Sequence, residues 1–184
     1  MTTQIVRADT SDIDTAARTL AAAFEDYAWT RYVIPDTDYR SRLLELQKLY
    51  LDYAHQHGIV GVTSTRDGVI ALIPPSAPEP DSKTVERIVD LHGDRIDRVA
   101  SSKSPPNAWS LETLGVSPEH QGKGRASALL DFGLEAVRAA GGSIVSLETS
   151  DHRNVRLYER FGFKVVREAT QPGRPPVWTM IALL

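Results

Sequence analysis

The chain has no cysteine. That excludes disulfide bridges and a thiol nucleophile. It also has no strong excess of either charge: 24 acidic residues face 21 basic ones, a net of −3. Such a balance argues against a nucleic-acid binder held by phosphate contacts. No apolar run approaches the length of a membrane span. The start Met1-Thr-Thr-Gln-Ile5 lacks the pattern of a secretory signal. A cytoplasmic protein without a membrane partner is the expectation. Metal-ligand spacing is missing too. His55 and His57 diverge on a helix, and His120 and His152 match no metal pattern, so no metal is expected. Repeats and low-complexity tracts are absent.

What remains is an ordinary globular composition over 184 residues, read as a single domain spanning 1–184. Ile5 to Ala8 reads as a short strand. Thr10-Ser-Asp12 then caps a helix with Ile13, Ala16, Ala17, Leu20, Ala21 and Phe24 at helical spacing. The segment from Glu25 to Pro35 breaks that pattern and is rich in aromatics. A second helix is predicted from Asp38 to His57, ending at Gly58. Ile59–Thr65 and Val69–Ile73 read as a hairpin around Arg66-Asp-Gly68. The proline-rich stretch Pro74–Pro80 is a loop. Val85, Ile88, Val89, His92, Ile96 and Val99 mark a further helix, and Ser101–Asn107 a further loop. Beyond it come a strand up to Val116, a helix from Ala126 to Ala140, and a strand from Ser143 to Thr149. A short helix from Asn154 to Phe161 ends at Gly162, and the chain closes with strands Phe163–Glu168 and Val177–Leu183 around Pro172–Pro176. The order β–α–α–β–β–α–β–α–β–α–β–β is mixed α/β of the α+β kind.

The segment Gly115-Val-Ser-Pro-Glu-His-Gln-Gly-Lys-Gly-Arg-Ala126 is the most informative. Pro118 stops a strand, Gly122 and Gly124 bracket Lys123, and an amphipathic helix follows. Such a turn presents backbone N–H groups at a helix N-terminus, with about +0.5 of dipole charge, and suits a pyrophosphate. It is neither a Walker P-loop nor the Gly-x-Gly-x-x-Gly of a dinucleotide fold. The spacing Gln121-x-x-Gly124-x-Ala126 resembles the acetyl-CoA motif of the GNAT acetyltransferases. Leu147-Glu-Thr-Ser150, Asn154 and Leu157-Tyr-Glu-Arg-Phe-Gly-Phe163 are similar to the second half of that family's cofactor site. Within the family, Arg18–Tyr27 and Gly115–Gly124 look most like the puromycin N-acetyltransferases, while Ile59–Lys103 departs from them.

The resemblance implies an acyl-CoA N-acyltransferase fold: a twisted, mixed sheet flanked by helices, with two parallel central strands that splay apart. Strands Ser110–Val116 and Ser143–Thr149 would form the two sides of the cleft. It implies acetyl-CoA as cosubstrate, held by Leu114, Gly115, Val116, Gln121, Gly122, Lys123, Gly124, Arg125, Ala126, Asn154 and Tyr158. A bulge is expected at Gly115, and the Val116 backbone would align the pantetheine arm. Tyr158, a phenol with an ordinary pKa of about 10, would protonate the departing thiolate; otherwise it is a core aromatic beside Phe161. Asn154 reads both as a helix N-cap and as a contact to the CoA arm. The base is Glu148 or Glu112, each on a strand facing the cleft and each open to being a solvated strand residue. With no cysteine, the amine attacks the thioester directly.

The acceptor is read as a small-molecule amine. A lysine-like amine of pKa about 10.4 costs about 4–5 kcal/mol to deprotonate at pH 7, against about 1 kcal/mol for an α-amine. A weak base therefore suits an α-amine, an aminonucleoside antibiotic among them, and would make the enzyme a resistance factor. Tyr27, Trp29 and Tyr32 line its pocket or pack as a lid. A monomer or homodimer is expected. The alternatives are a protein N-terminal or lysine acetyltransferase, and a CoA-binding sensor without catalysis.

Overall fold

A computed structural model describes residues 3–99 and 104–184. Seven strands form one sheet in the order β1-β2-β3-β4-β5-β7-β6. They are β1 (Ile5–Arg7), β2 (Ile59–Thr63), β3 (Gly68–Ile73), β4 (Trp109–Val116), β5 (Ile144–Thr149), β6 (Lys164–Gln171) and β7 (Arg174–Leu183). Every neighbouring pair is antiparallel except β4 and β5. The helices are α1 (Ile13–Phe24), α2 (Ala28–Val33), α3 (Tyr39–His57), α4 (Ser82–His92), α5 (Arg125–Ala139) and α6 (His152–Glu159). One face of the sheet buries its apolar side chains against α5 and α6, through Leu129, Leu130, Leu134, Val155 and Phe163. The other face packs on α1 and the C-terminal half of α3, through Ala16, Leu20, Leu51 and Ala54. The N-terminal half of α3 leaves the sheet and joins α2 and α4 in a separate apolar cluster of Val33, Ile34, Leu43, Leu46 and Leu91. That second packing gives the fold a roof standing off the sheet.

The central strands do splay. β4 and β5 pair only at Trp109↔Val145 and Ser110↔Ser146, and no pairing follows. Beyond Ser110, β4 keeps β3 on one side and has no strand on the other. Every second residue of a strand aims its N–H and C=O at each neighbour, so an open edge runs down the middle of the sheet.

The bulge in β4 lies at Glu112, not at Gly115. Pairing with β3 runs Ala71↔Thr113 and then Leu72↔Leu111, so Glu112 is the extra residue. Burial agrees: Leu111 and Leu114 both pack on the α5 side, although a regular strand would put residues three apart on opposite faces. Gly115 pairs regularly with Val69. Its lack of a side chain serves packing instead, since a Cβ there would lie 2.7 Å from Leu20 Cδ2.

Other elements shift in ways the sequence pattern did not announce. Glu25–Pro35 contains α2, too short for a periodic signal. The expected helix through Val99 breaks at Gly93 into a 3-10 segment, Gly93–Arg98, and leaves Val85 and Val89 exposed. In the expected loop from Ser101 to Asn107, residues 101–103 lie outside the described residues. Helix α6 starts two residues before Asn154, because the Asp151 side chain accepts the Arg153 N–H at 2.8 Å. Asp151 is therefore the N-cap, and Asn154 is not. Both closing strands are longer than expected. Pro175 and Pro176 sit inside β7, but in a stretch that extends past β5 and pairs only with β6, across a register shift. Proline is tolerated there because no ladder hydrogen bond is lost on the open side.

Candidate active site

The site begins where β4 stops. A 3-10 turn at Pro118–His120 leads into Gly122 (φ 72°) and Gly124 (φ 78°), and α5 starts at Arg125. Two left-handed residues with one residue between them are nearly free of strain only as glycine. They turn successive N–H groups the same way. The N–H groups from Gly122 to Ser127 have no acceptor among the described residues, and no side chain caps α5. Nothing lies within 4 Å of a Cβ placed on Gly122 or Gly124. The result is an open cradle of donors at a helix N-terminus, which favours an anion.

The side chains of this loop do other work. Gln121 Nε2 donates to Val116 O at 3.0 Å, which takes that carbonyl out of the open strand edge. Lys123 Nζ donates to Glu119 O at 2.9 Å on the exposed rim. Arg125 points away from the cradle and pairs with Asp67 of the β2–β3 turn at 3.1 Å. Its guanidinium is committed to a buried carboxylate, and only its backbone N–H faces the cradle. Burial raises the Asp67 pKa, but hydrogen bonds from Thr65 and Thr63 and the charges of Arg125 and His120 outweigh it, and the group ends below the usual carboxylate value.

Above the loop, the gap between β4 and β5 opens into a cavity of about 430 Å³ under the α2–α3–α4 roof. Tyr158, Glu148, Glu112, Leu114 and Asn154 all line it. Gly115 and Val116 do not. Tyr158 packs edge-on against Phe163, with ring centroids 5.6 Å apart. Its hydroxyl has no hydrogen-bond partner among the described residues. Burial pushes its pKa far above the ordinary phenol value, and Tyr27 adds to the shift. Tyr158 is therefore protonated throughout the neutral range and holds a donor facing the cavity.

Glu148 lies at the exposed end of β5, where Thr179 Oγ1 on β7 donates to its Oε1 at 3.1 Å. Glu112 occupies the bulge of β4 on the opposite side. Its charge, after burial, helps push the Tyr50 hydroxyl of α3 up to about 12. The bulge thus re-aims a carboxylate towards α3 and the cavity mouth, a common use of the irregularity. Asn154 Nδ2 donates to Thr149 Oγ1 at 3.2 Å. Thr149 in turn meets the Tyr27 hydroxyl at 3.2 Å, and the Ser150 N–H donates to that same hydroxyl at 2.6 Å. Tyr27 therefore ties the α1–α2 connection to the end of β5, with its polar tip already engaged.

Trp29 lines the cavity, but Tyr32 does not. Tyr32 packs at a tilt against Trp29, centroids 5.9 Å apart, and lies under the Arg98 guanidinium in the α2–α3–α4 cluster. Tyr50, Gln47 and His92 are among the cavity residues that escaped the sequence reading. The usable signal was a polar residue on an apolar helix stripe. Gln47 follows Leu43 by four and precedes Leu51 by four, and His92 stands in line with Ile88. Among the described residues, no group of three or more metal-ligating side chains converges. No helix there is long and apolar enough to cross a membrane.

The donor cradle follows the end of β4, and the open part of β4, Leu111 to Leu114, lines the same cavity as the protonated phenol of Tyr158. Their chemistry fits the pyrophosphate, pantetheine and thioester of an acyl-CoA. Comparison with known proteins agrees. The sequence pattern of the acetyltransferase (GNAT) family matches residues 21–163. A mycothiol acetyltransferase from Propionibacterium freudenreichii subsp. shermanii is 38% identical over 81 residues, which are 43% of this chain and 25% of that protein. This chain thus matches only about a quarter of that relative's length. Among solved structures, one described as histone acetyltransferase HPA2 and related acetyltransferase from Corynebacterium glutamicum superposes with a TM-score of 0.77. It is 23% identical and covers 100% of this chain and 98% of its own. The NatC complex bound to Gag peptide and CoA contains a chain matching at a TM-score of 0.57, with 14% identity and coverage of 100% and 99%. At such identities the structural likeness speaks to the fold, and the family match covers most of the chain. The chain belongs to the acetyltransferase (GNAT) family.

Proposed function

We propose that the protein is an acetyl-CoA-dependent N-acetyltransferase acting on a small-molecule amine. The observation that carries this reading is one cavity holding an unpartnered, protonated Tyr158 together with Glu148, Glu112 and an open β4 edge. Acetyl-CoA, when bound, supplies an activated acyl thioester. The N–H groups from Gly122 to Ser127 hold its pyrophosphate. The free edge of β4, from Leu111 to Gly115, aligns the pantetheine arm. Tyr158 keeps its proton at Oη for the departing sulfur. Glu148 takes the amine proton, directly or through water, and Glu112 adds negative charge that draws a cationic amine to the mouth.

A cavity of about 430 Å³ falls within the roughly 300–1,000 Å³ of small-molecule sites. The roof of α2, α3 and α4 covers it, which favours a compact acceptor over an extended peptide. An α-amine of the puromycin kind is the easier acceptor, costing about 1 kcal/mol to deprotonate at pH 7 against about 4–5 kcal/mol for a lysine-like amine. The test is release of free thiol from acetyl-CoA with puromycin, aminoglycosides, polyamines, amino acids and peptides, alongside calorimetric binding of CoA. Turnover of a small amine is expected, with Tyr158→Phe lowering kcat by about 10²-fold. Wild-type turnover by Tyr158→Phe removes the acid role. Turnover of peptides alone overturns the small-molecule reading, and a protein that binds no CoA overturns the whole of it.

A further inference from the structure

The inner end of the cavity carries polar groups that acetyl transfer itself does not use. Its walls there are apolar, formed by Val33, Ile34 and Leu46. Gln47 and His92 interrupt them. Gln47 is 8% exposed; its side-chain amide makes no hydrogen bond among the described residues and is not sealed off, but open to the cavity it lines. His92 is 3% exposed, and its Nε2 is likewise without a partner. Its other nitrogen, Nδ1, lies 3.0 Å from Val33 O. A carbonyl can only accept, so Nδ1 carries the proton. Burial also disfavours the imidazolium form. Nε2 is then a lone-pair acceptor, and Gln47 offers both a donor and an acceptor.

Buried polar groups are almost always paired within a protein, because leaving one unpaired is costly. A buried unpaired nitrogen on one helix and an open amide on another, lining one cavity, point to a ligand that pairs them. We propose that Gln47 and His92 form a recognition subsite for a neutral hydrogen-bonding tail of the acceptor, a hydroxyl or amide joined through an apolar body to the reacting amine. The proposal rests on the acetyl-transfer reading above and refines its substrate class. The amine end sits between Glu148 and Glu112, the apolar body lies against Leu46 and Trp29, and the tail donates to His92 Nε2 and pairs with the Gln47 amide. Simple alkylamines and polyamines without such a tail leave both groups unpaired and are poor acceptors.

The experiment compares matched amines that differ by one hydroxyl, tyramine with phenethylamine and aminohexanol with hexylamine. Two readouts are taken: thiol release from acetyl-CoA, and calorimetric binding to the CoA-saturated protein. The wild type is expected to favour the hydroxylated member of at least one pair by about tenfold or more. In Gln47→Leu, that ratio is expected to fall to within about twofold of one. Gln47→Met, which keeps length and flexibility, serves if the leucine variant does not fold. A hydroxyl preference that survives both substitutions overturns the subsite, and so does the absence of any preference in both readouts. Thiol release without preference sinks the subsite and leaves acetyl transfer standing. Binding preference that Gln47→Leu abolishes, without thiol release from any amine, leaves the subsite standing and sinks acetyl transfer.

Discussion

Replacing Asp67 with alanine tests how the β2–β3 turn supports the amide cradle. Asp67 is 8% exposed and receives four groups. Thr63 Oγ1 donates to Oδ1 at 2.9 Å, and Thr65 Oγ1 to Oδ2 at 2.5 Å. Arg125 Nη2 lies 3.1 Å from Oδ2 and His120 Nε2 lies 4.0 Å away. The backbone of the same residue accepts the Ser117 N–H at 2.9 Å. The Arg125 side chain is 18% exposed, and its Nη1 already lacks a partner. Asp67→Ala therefore strands a mostly buried cation. Breaking a buried pair by removing one partner costs about 3–5 kcal/mol. At about 2–4 °C per kcal/mol for a domain of this size, the melting temperature should fall by about 6–20 °C. Because Arg125 opens α5, the KM for acetyl-CoA should rise as well. The double variant Asp67→Ala/Arg125→Met removes the stranded charge and should recover more than half of the lost stability. Thermal denaturation followed by circular dichroism measures the loss and the recovery of stability, and thiol release at varied acetyl-CoA measures the KM. A melting point for Asp67→Ala within 2 °C (roughly 0.5–1 kcal/mol) of the wild type, or strictly additive variants, would refute the reasoning.

Other consequences follow from the same geometry. Gly115→Val should destabilise by about 1–3 kcal/mol through overpacking, since even its Cβ meets Leu20 Cδ2 at 2.7 Å; a denaturant midpoint equal to wild type would show that α1 yields freely. The His92 pKa is lowered by burial from its ordinary value of 6.5, so the unfolded chain binds that proton more readily. His92 thus contributes stability that is complete above pH 6.5 and is lost as pH falls towards its folded value. His92→Gln should flatten the decline in melting temperature between pH 7 and pH 5 (about one and a half units below the ordinary histidine value), and an unchanged slope would dismiss the effect. Asp67 acts in the same direction at lower pH: its carboxyl is held down in the fold, so its contribution vanishes as pH falls below the ordinary value of 3.8.

The amide cradle was legible in the sequence because its signal is local. Two glycines bracketing one residue, after a proline and ahead of an amphipathic stripe, dictate left-handed backbone and a helix start whatever surrounds them. The hairpin around Asp67-Gly68 was legible for the same reason, whereas Tyr158 and Asn154, one turn apart on a short helix, stood out only through the family resemblance. The β4 bulge was misplaced at Gly115 because glycine has two uses, unusual backbone angles and close packing, and only contact with Leu20 shows which one applies. The loop pattern put the backbone N–H of Arg125 at the cradle but said nothing of where its side chain goes. The turn that captures its guanidinium lies 58 residues earlier in the chain, and no local pattern reveals that pairing.

The sequence by itself determined most of the element order, the turn chemistry and the uncapped, glycine-led start of α5, all set by interactions within a few residues. Tertiary structure alone decided where β4 and β5 part, which carboxylates face the gap, and that Gln47 and His92 meet one cavity. Those outcomes depend on how helices distant in sequence stack over a twisted sheet. Side-chain direction there is fixed by packing and register, which no single segment encodes.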